Sequence, residues 1–186
     1  LMIDYLIEAG EIEDGQVCYH SARGIKINGY NIQEDEGRLD LFISIYTQNI
    51  SLTNIRKDAV EGAFNQLLKF LNKSIEEASP VFDMAQLIHG QHSQFNHVRL
   101  FLFTDGLTTS QAIAKLKTQQ NQLEEGVNYS FNIWDLRRTQ RCVTSGQKRE
   151  AIEIDFQTEY DSVIPCLAMP SSQADYSAYV AIVPGE

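Results

Sequence analysis

The chain has 186 residues, 43% of them hydrophobic and 22% charged, with a formal net charge of −10. That balance is ordinary for a soluble globular protein and supplies a full core for one α/β domain over residues 1–186, two small lobes also being compatible with the length. No apolar run approaches the roughly 20 residues of a membrane span, no basic-then-apolar leader opens the chain, and so acidic a surface argues against a coat for nonspecific nucleic-acid binding.

Cys18, Cys142 and Cys166 are odd in number and widely spaced, the pattern of reduced, buried thiols in a cytoplasmic protein. The charge is uneven. Up to Asp40 the acids far outnumber Arg23, Lys26 and Arg38, whereas Arg137, Arg138, Arg141, Lys148 and Arg149 follow one another with no acid between them. The chain opens on Leu-Met and stops at Val-Pro-Gly-Glu directly after a strand-like run, which suggests a piece of a longer protein.

Taken in order, residues 1–9 place Met2, Leu6 and Ala9 on one helical face before a stop at Gly10. Residues 16–20 and 25–32 read as strands. In the second, Ile25 and Ile27 alternate against Lys26, Asn28 and Tyr30, and Gly29 is a candidate bulge. The turn Glu34, Asp35, Glu36 leads to a third strand over 39–46. There Leu39, Leu41, Ile43 and Ile45 share one face and Asp40, Phe42, Ser44 and Tyr46 the other. Short connections make the three strands an antiparallel meander.

Thr53 is a sensible N-cap for a long amphipathic helix to about Ser74. A shorter helix follows Pro80. Residues 98–103, VRLFLF, read as a strand buried on both faces, with a Thr104-Asp105-Gly106 turn at its end. Ser110 can cap a helix through Leu123. Residues 127–133 form another strand, and Asp135 can cap the basic helix after it. Strands are also expected at 151–156, 163–167 and 176–183. The fold class is therefore α/β (α+β): a central mixed sheet with a three-strand antiparallel meander and flanking helices. Its α-β-β-β-α-β succession matches the restriction-endonuclease-like core.

Such a core works through an acid on one strand and, on a neighbour, an acid and a lysine two residues apart. Carboxylates hold a hard divalent cation, and the lysine positions or activates water. Here Asp40 is followed on its own face by Phe42, Ser44 and Tyr46. A rearranged site would need Lys26 from the preceding strand, with Glu8 or Glu36 completing a Mg²⁺ or Mn²⁺ site around Asp40. The competing expectation is a degenerate nuclease fold with Asp40 and the acidic turn solvated. His89, His92 and His97 lack the cysteines or carboxylate of a structural zinc site and read as a polar loop. Thr104-Asp105-Gly106 lies where α/β proteins often place ligands, but turn chemistry explains it equally. Trp134 beside Asp135, Arg137 and Arg138 has the make-up to stack on a base or bind phosphate. Arg137, Arg138 and Arg141 are the candidates for a nucleic-acid contact.

Several stretches together carry a likeness. They are EAGEIED at 8–14, GYNIQEDEGRLDLFIS at 29–44, VRLFLFTDG at 98–106, IWDLRR at 133–138, IEIDF at 152–156, IPCL at 164–167 and YVAIVPGE at 179–186. With them the chain resembles, almost end to end, the N-terminal domain of the abortive-infection phage-resistance (AIPR) proteins of bacteria. The resemblance implies a role in antiviral defence, within a longer protein whose C-terminal remainder is its first expected partner. It brings no catalytic residues with it. Two functions follow: a sensing or interaction module with a nuclease-like fold that serves a downstream effector, or a divalent-metal nuclease acting on DNA or RNA.

Overall fold

The computed structural model describes residues 2–48, 51–76, 83–113, 116, 126–145, 166–169 and 178–181. The chain divides into two compact units, Leu1–Glu150 and Ala151–Glu186. In the first, α1 (Met2–Glu8) precedes a meander of β1 (Gln16–Ala22), β2 (Ile25–Gln33) and β3 (Arg38–Ile45). Then come α2 (Lys57–Glu76), α3 (Asp83–Gln91), β4 (His97–Thr104), β5 (Asn128–Trp134) and α4 (Leu136–Ser145). Short 3₁₀ turns occupy Glu34–Glu36 and His92–Gln94, and residues 110–113 are helical.

The five strands form one sheet in the order β1-β2-β3-β4-β5. β1 with β2 and β2 with β3 are antiparallel, while β3 with β4 and β4 with β5 are parallel. The sheet is therefore mixed, with helices on it, as the periodicity predicts. In the second unit β6 (Cys166–Met169) and β7 (Ala178–Ala181) pair antiparallel. β6 overlaps the strand expected at 163–167 and runs two residues beyond it, and β7 lies within the strand expected at 176–183. The strand expected at 151–156 and most of the helix expected through Leu123 lie outside the described residues.

Alternation along the strands divides the core in two. Leu39, Leu41 and Ile43 of β3 and Val98, Leu100 and Leu102 of β4 pack against Val60, Phe64, Leu67 and Leu71 of α2 and Met84 and Ile88 of α3. The opposite face carries Phe42, Phe101, Phe103 and Trp134 against Ile3 and Leu6 of α1, Ile12, and Cys142 of α4. Phe42 meets Phe101 edge-on at 5.3 Å and Phe103 tilted at 5.8 Å between centroids, and Phe101 stacks with Phe103 at 6.4 Å. Burying a core side chain of this size contributes about 1.5–3 kcal/mol, so the two aromatic-aliphatic layers dominate the stability of the sheet.

Three local expectations change. Ile3 is more deeply buried on α1 than Met2. Helix α2 begins at Lys57, because the backbone of Thr53 and Ile55 is engaged by Leu107 in a parallel bridge: Leu107 N–H donates to Thr53 O at 2.9 Å and Ile55 N–H to Leu107 O at 2.8 Å. Thr53 therefore cannot cap the helix. Tyr30 packs against the same cluster as Ile25 and Ile27, which an unbroken period of two forbids. The break falls around Gly29. The β2–β3 ladder starts there, and the β1–β2 register slips between Val17 and His20. A Cβ at Gly29 would lie 2.7 Å from Gln16 O, so the glycine permits this close approach.

The turn into β3 is closed by Gly37 at φ 59°, ψ 35°. Its carbonyl accepts the N–H groups of Asn96 and His97 at 2.9 and 3.2 Å, tying the hairpin to the start of β4. A Cβ there would meet Gln94 O at 2.6 Å. Gly37→Ala is therefore expected to cost about 1–3 kcal/mol or more from left-handed strain and crowding. It should lower the urea midpoint at unchanged m-value; an unaltered midpoint would show that the turn tolerates a side chain.

Candidate functional site

Asp40 is the third residue of β3, flanked along the strand by fully buried Leu39 and Leu41, and it is itself fully buried. This differs from the expected solvated carboxylate. A lone charge there would carry a desolvation penalty of several kcal/mol, and the register of the sheet supplies its partners. Asn31 of β2 and Arg99 of β4 stand directly opposite Asp40 on its two sides. Arg99 is bidentate, with Nε to Oδ1 and Nη2 to Oδ2 both at 2.7 Å. Asn31 Nδ2 donates to Oδ2 at 3.0 Å. Arg38 Nε lies 3.9 Å from Oδ1. The remaining terminal nitrogen of Arg99 donates to Glu11 O at 3.1 Å, holding the segment that follows α1. The guanidinium also lies 5.2 Å from the centroid of the Phe101 ring.

The other candidates for a metal site are differently engaged. Glu36 is exposed and forms an ion pair with Arg38, so a guanidinium stands between it and Asp40. Lys26 Nζ donates to Ser44 O at 2.7 Å. That point is four residues along β3 from Asp40, about 13 Å at the rise of a strand. Glu8 is exposed in the last turn of α1. Among the described residues, no three His, Cys, Asp or Glu side chains are grouped so as to hold a metal ion. His89 Nδ1 bonds to Ile75 O at 2.8 Å, tying α3 to α2, while exposed His92 bonds locally through Nδ1 to His89 O at 2.9 Å. His97 is exposed at the start of β4.

At the opposite, carboxyl end of the parallel strands, Asp105 accepts the N–H and hydroxyl of Thr47 at 2.8 and 3.1 Å, and Gly106 packs against Ile55. Both are structural. Asp135 caps α4 as its sequence position predicts: Oδ1 accepts the Arg138 N–H at 2.9 Å, while Oδ2 accepts the N–H and hydroxyl of Thr108 at 2.9 and 2.7 Å. Trp134 is fully buried, beyond the reach of a base. Arg138 lies over its ring at 4.1 Å and donates to Ile133 O at 3.2 Å. Arg137 and Arg141 are exposed on α4. Cys142 is buried, and burial pushes the Cys18 thiol up to about 11, which keeps it protonated and unreactive.

The residue that strand-by-strand reading passes over is Arg99. It is the lone charge in VRLFLF, as Asp40 is the lone charge in LDLFIS. Two strands that are otherwise apolar, each with one charge and of opposite sign, signal a cross-strand pair.

Asp135 also sets a pH response. Burial raises its pKa, but the hydrogen bonds from Arg138 and Thr108 and the nearby Arg137 guanidinium outweigh burial and hold the carboxyl below its ordinary range. A depressed folded-state pKa gives stability that is complete above the unfolded value of about 4 and lost as pH falls through the folded value. Asp135→Ala should cost about 1–2 kcal/mol at pH 7. Urea titrations of both proteins should show that deficit shrinking below the ordinary carboxylate pKa; a deficit constant with pH would contradict the assignment.

Among the described residues, no helix is long and apolar enough to cross a membrane. No curated protein and no solved structure matches the chain. A family model described as the abortive infection phage resistance protein N-terminal domain matches residues 1–141. That span takes in α1, the whole five-stranded sheet and most of α4, and stops before the stretches at 152–156, 164–167 and 179–186. With well over half of its length matched, the chain belongs to the family of N-terminal domains of abortive-infection phage-resistance proteins.

Proposed function

We propose that this domain is a non-catalytic sensing or interaction module of a phage-defence protein, acting in the cytoplasm on a downstream effector region. The observation that carries this reading is the environment of Asp40. Both of its oxygens accept hydrogen bonds from Arg99, and Asn31 adds a third. A divalent cation needs direct oxygen ligands at roughly 2–2.6 Å. To use Asp40 it would have to displace a bidentate guanidinium from a buried site, against a charge-assisted pair that is among the strongest hydrogen-bonding arrangements available. The nuclease-like part of the reading draws on the succession of one helix, three meander strands, a helical layer and a further strand. The odd number and wide spacing of Cys18, Cys142 and Cys166 support a reducing compartment.

The test is incubation of the chain with single- and double-stranded DNA and RNA in Mg²⁺ and in Mn²⁺. The expected result is no cleavage above that of a metal-free control. Metal-dependent cleavage that disappears in a folded Asp40→Asn variant would overturn the reading and establish the divalent-metal nuclease in its place.

A further inference from the structure

The carboxyl ends of β4 and β5 are remote in the sheet from the Asp40 cluster, which lies toward the amino ends of β3 and β4. The loop leaving β4 runs to the helical residues 110–113, and the chain leaving β5 turns at Asp135 into α4. Asp135 joins the two through its three hydrogen bonds. Between them opens a cavity of about 470 Å³, within the range of small-molecule sites.

Its lining is two-sided. Ile113, Leu116, Phe131 and Ile133 make an apolar wall. Arg137, Arg138 and Arg141 make a cationic one. Among the described residues Asp135 is the one carboxylate of the lining, and its oxygens are already committed to Thr108 and Arg138. Three guanidinium groups thus stand among the described lining residues, on a chain whose net charge is −10. Arg137 and Arg141 are four residues apart on one helix, a spacing at which like charges destabilise it. Arg138 is held in place by the Trp134 ring and the Ile133 carbonyl, so little conformational freedom remains for it to lose on meeting a ligand.

We propose that this cavity binds a nucleotide, with its phosphates on the three arginines and its base against Phe131 and Ile133. Guanidinium forks match phosphate oxygens bidentately, and an apolar wall with an aromatic ring accepts the faces of a base. A cavity of this volume suits one nucleotide, whereas the acidity of the chain opposes the approach of a long polyanion. The inference does not depend on the role of Asp40: a nucleotide here would be the signal of a sensing module or the regulator of an enzyme.

ATP is the probe, titrated by calorimetry into the 186-residue chain at about 50 mM salt, where phosphate contacts are least screened. Parallel titrations use inorganic pyrophosphate and a short oligothymidylate. Trp134, the single tryptophan of the chain, reports on Arg138 by fluorescence. One-to-one binding of ATP is expected, with a change in Trp134 emission. The exposed pair Arg137→Ala and Arg141→Ala together should weaken it by roughly tenfold or more. Ile113→Asp, also at an exposed position, should weaken it through the apolar wall, and pyrophosphate should bind less tightly than ATP. Circular dichroism checks that both variants fold. The proposal is overturned if ATP does not bind, if the arginine variant binds it unchanged, if pyrophosphate binds as tightly as ATP, or if the oligonucleotide binds more tightly than ATP.

Discussion

The buried pair between Asp40 and Arg99 is the constraint that the rest of the sheet is built to satisfy. A carboxylate at the centre of a mixed sheet is tolerated only when its charge and lone pairs are matched, and the match depends on register. Asp40 stands opposite Arg99 only because β3 and β4 run parallel in one alignment. A slip of one residue would set Asp40 against Val98 or Leu100 and turn the apolar set of one strand towards the wrong layer. The aromatic layer of Phe42, Phe101 and Phe103, on the same face, has the same requirement. Charge and packing thus select a single alignment, and Arg99 extends it to the chain after α1 through the Glu11 carbonyl.

This arrangement separates the two ends of the parallel strands. Towards their amino ends, carboxylates and guanidinium groups are paired: Asp40 with Arg99, and Glu36 with Arg38. Towards their carboxyl ends, the arginines of α4 line a cavity, and Asp135 beside them is occupied in joining two loops. In the acidic hairpin, the more conspicuous stretch of the chain, Glu36 is paired with Arg38 and Glu34 accepts from Gln91. The basic segment lines a cavity.

Much of the architecture is legible from periodicity. The alternation of Leu39, Leu41 and Ile43 against Asp40, Phe42 and Ser44 assigns the faces of β3 correctly, and the three-to-four spacing of Val60, Phe64, Leu67 and Leu71 marks the buried face of α2. What escapes such reading is non-local. The start of α2 shifts because Leu107, more than fifty residues away, claims the backbone of Thr53 and Ile55. Tyr30 changes face because an irregularity at Gly29 resets the period of β2. Asp40 looks solvated while its strand is considered alone, and its burial follows only once β4 places Arg99 beside it. The arginines of α4 are visible as a basic run, but the wall of Ile113, Leu116, Phe131 and Ile133 opposite them is assembled by tertiary folding.

The central claim is that Asp40 is held by Arg99 as a structural pair. A double-mutant cycle with Asp40→Ala, Arg99→Ala and the two together, followed by urea unfolding at pH 7, tests it most directly. Arg99→Ala leaves the fully buried Asp40 without its main partner and should cost about 3–5 kcal/mol, and Asp40→Ala, which leaves the partly buried Arg99, should cost less. The double variant should fall short of the sum by about 2 kcal/mol or more, the coupling expected of groups in direct contact. Additive losses, with a coupling under about 0.5 kcal/mol, would mean that the two side chains act independently, and would contradict the account.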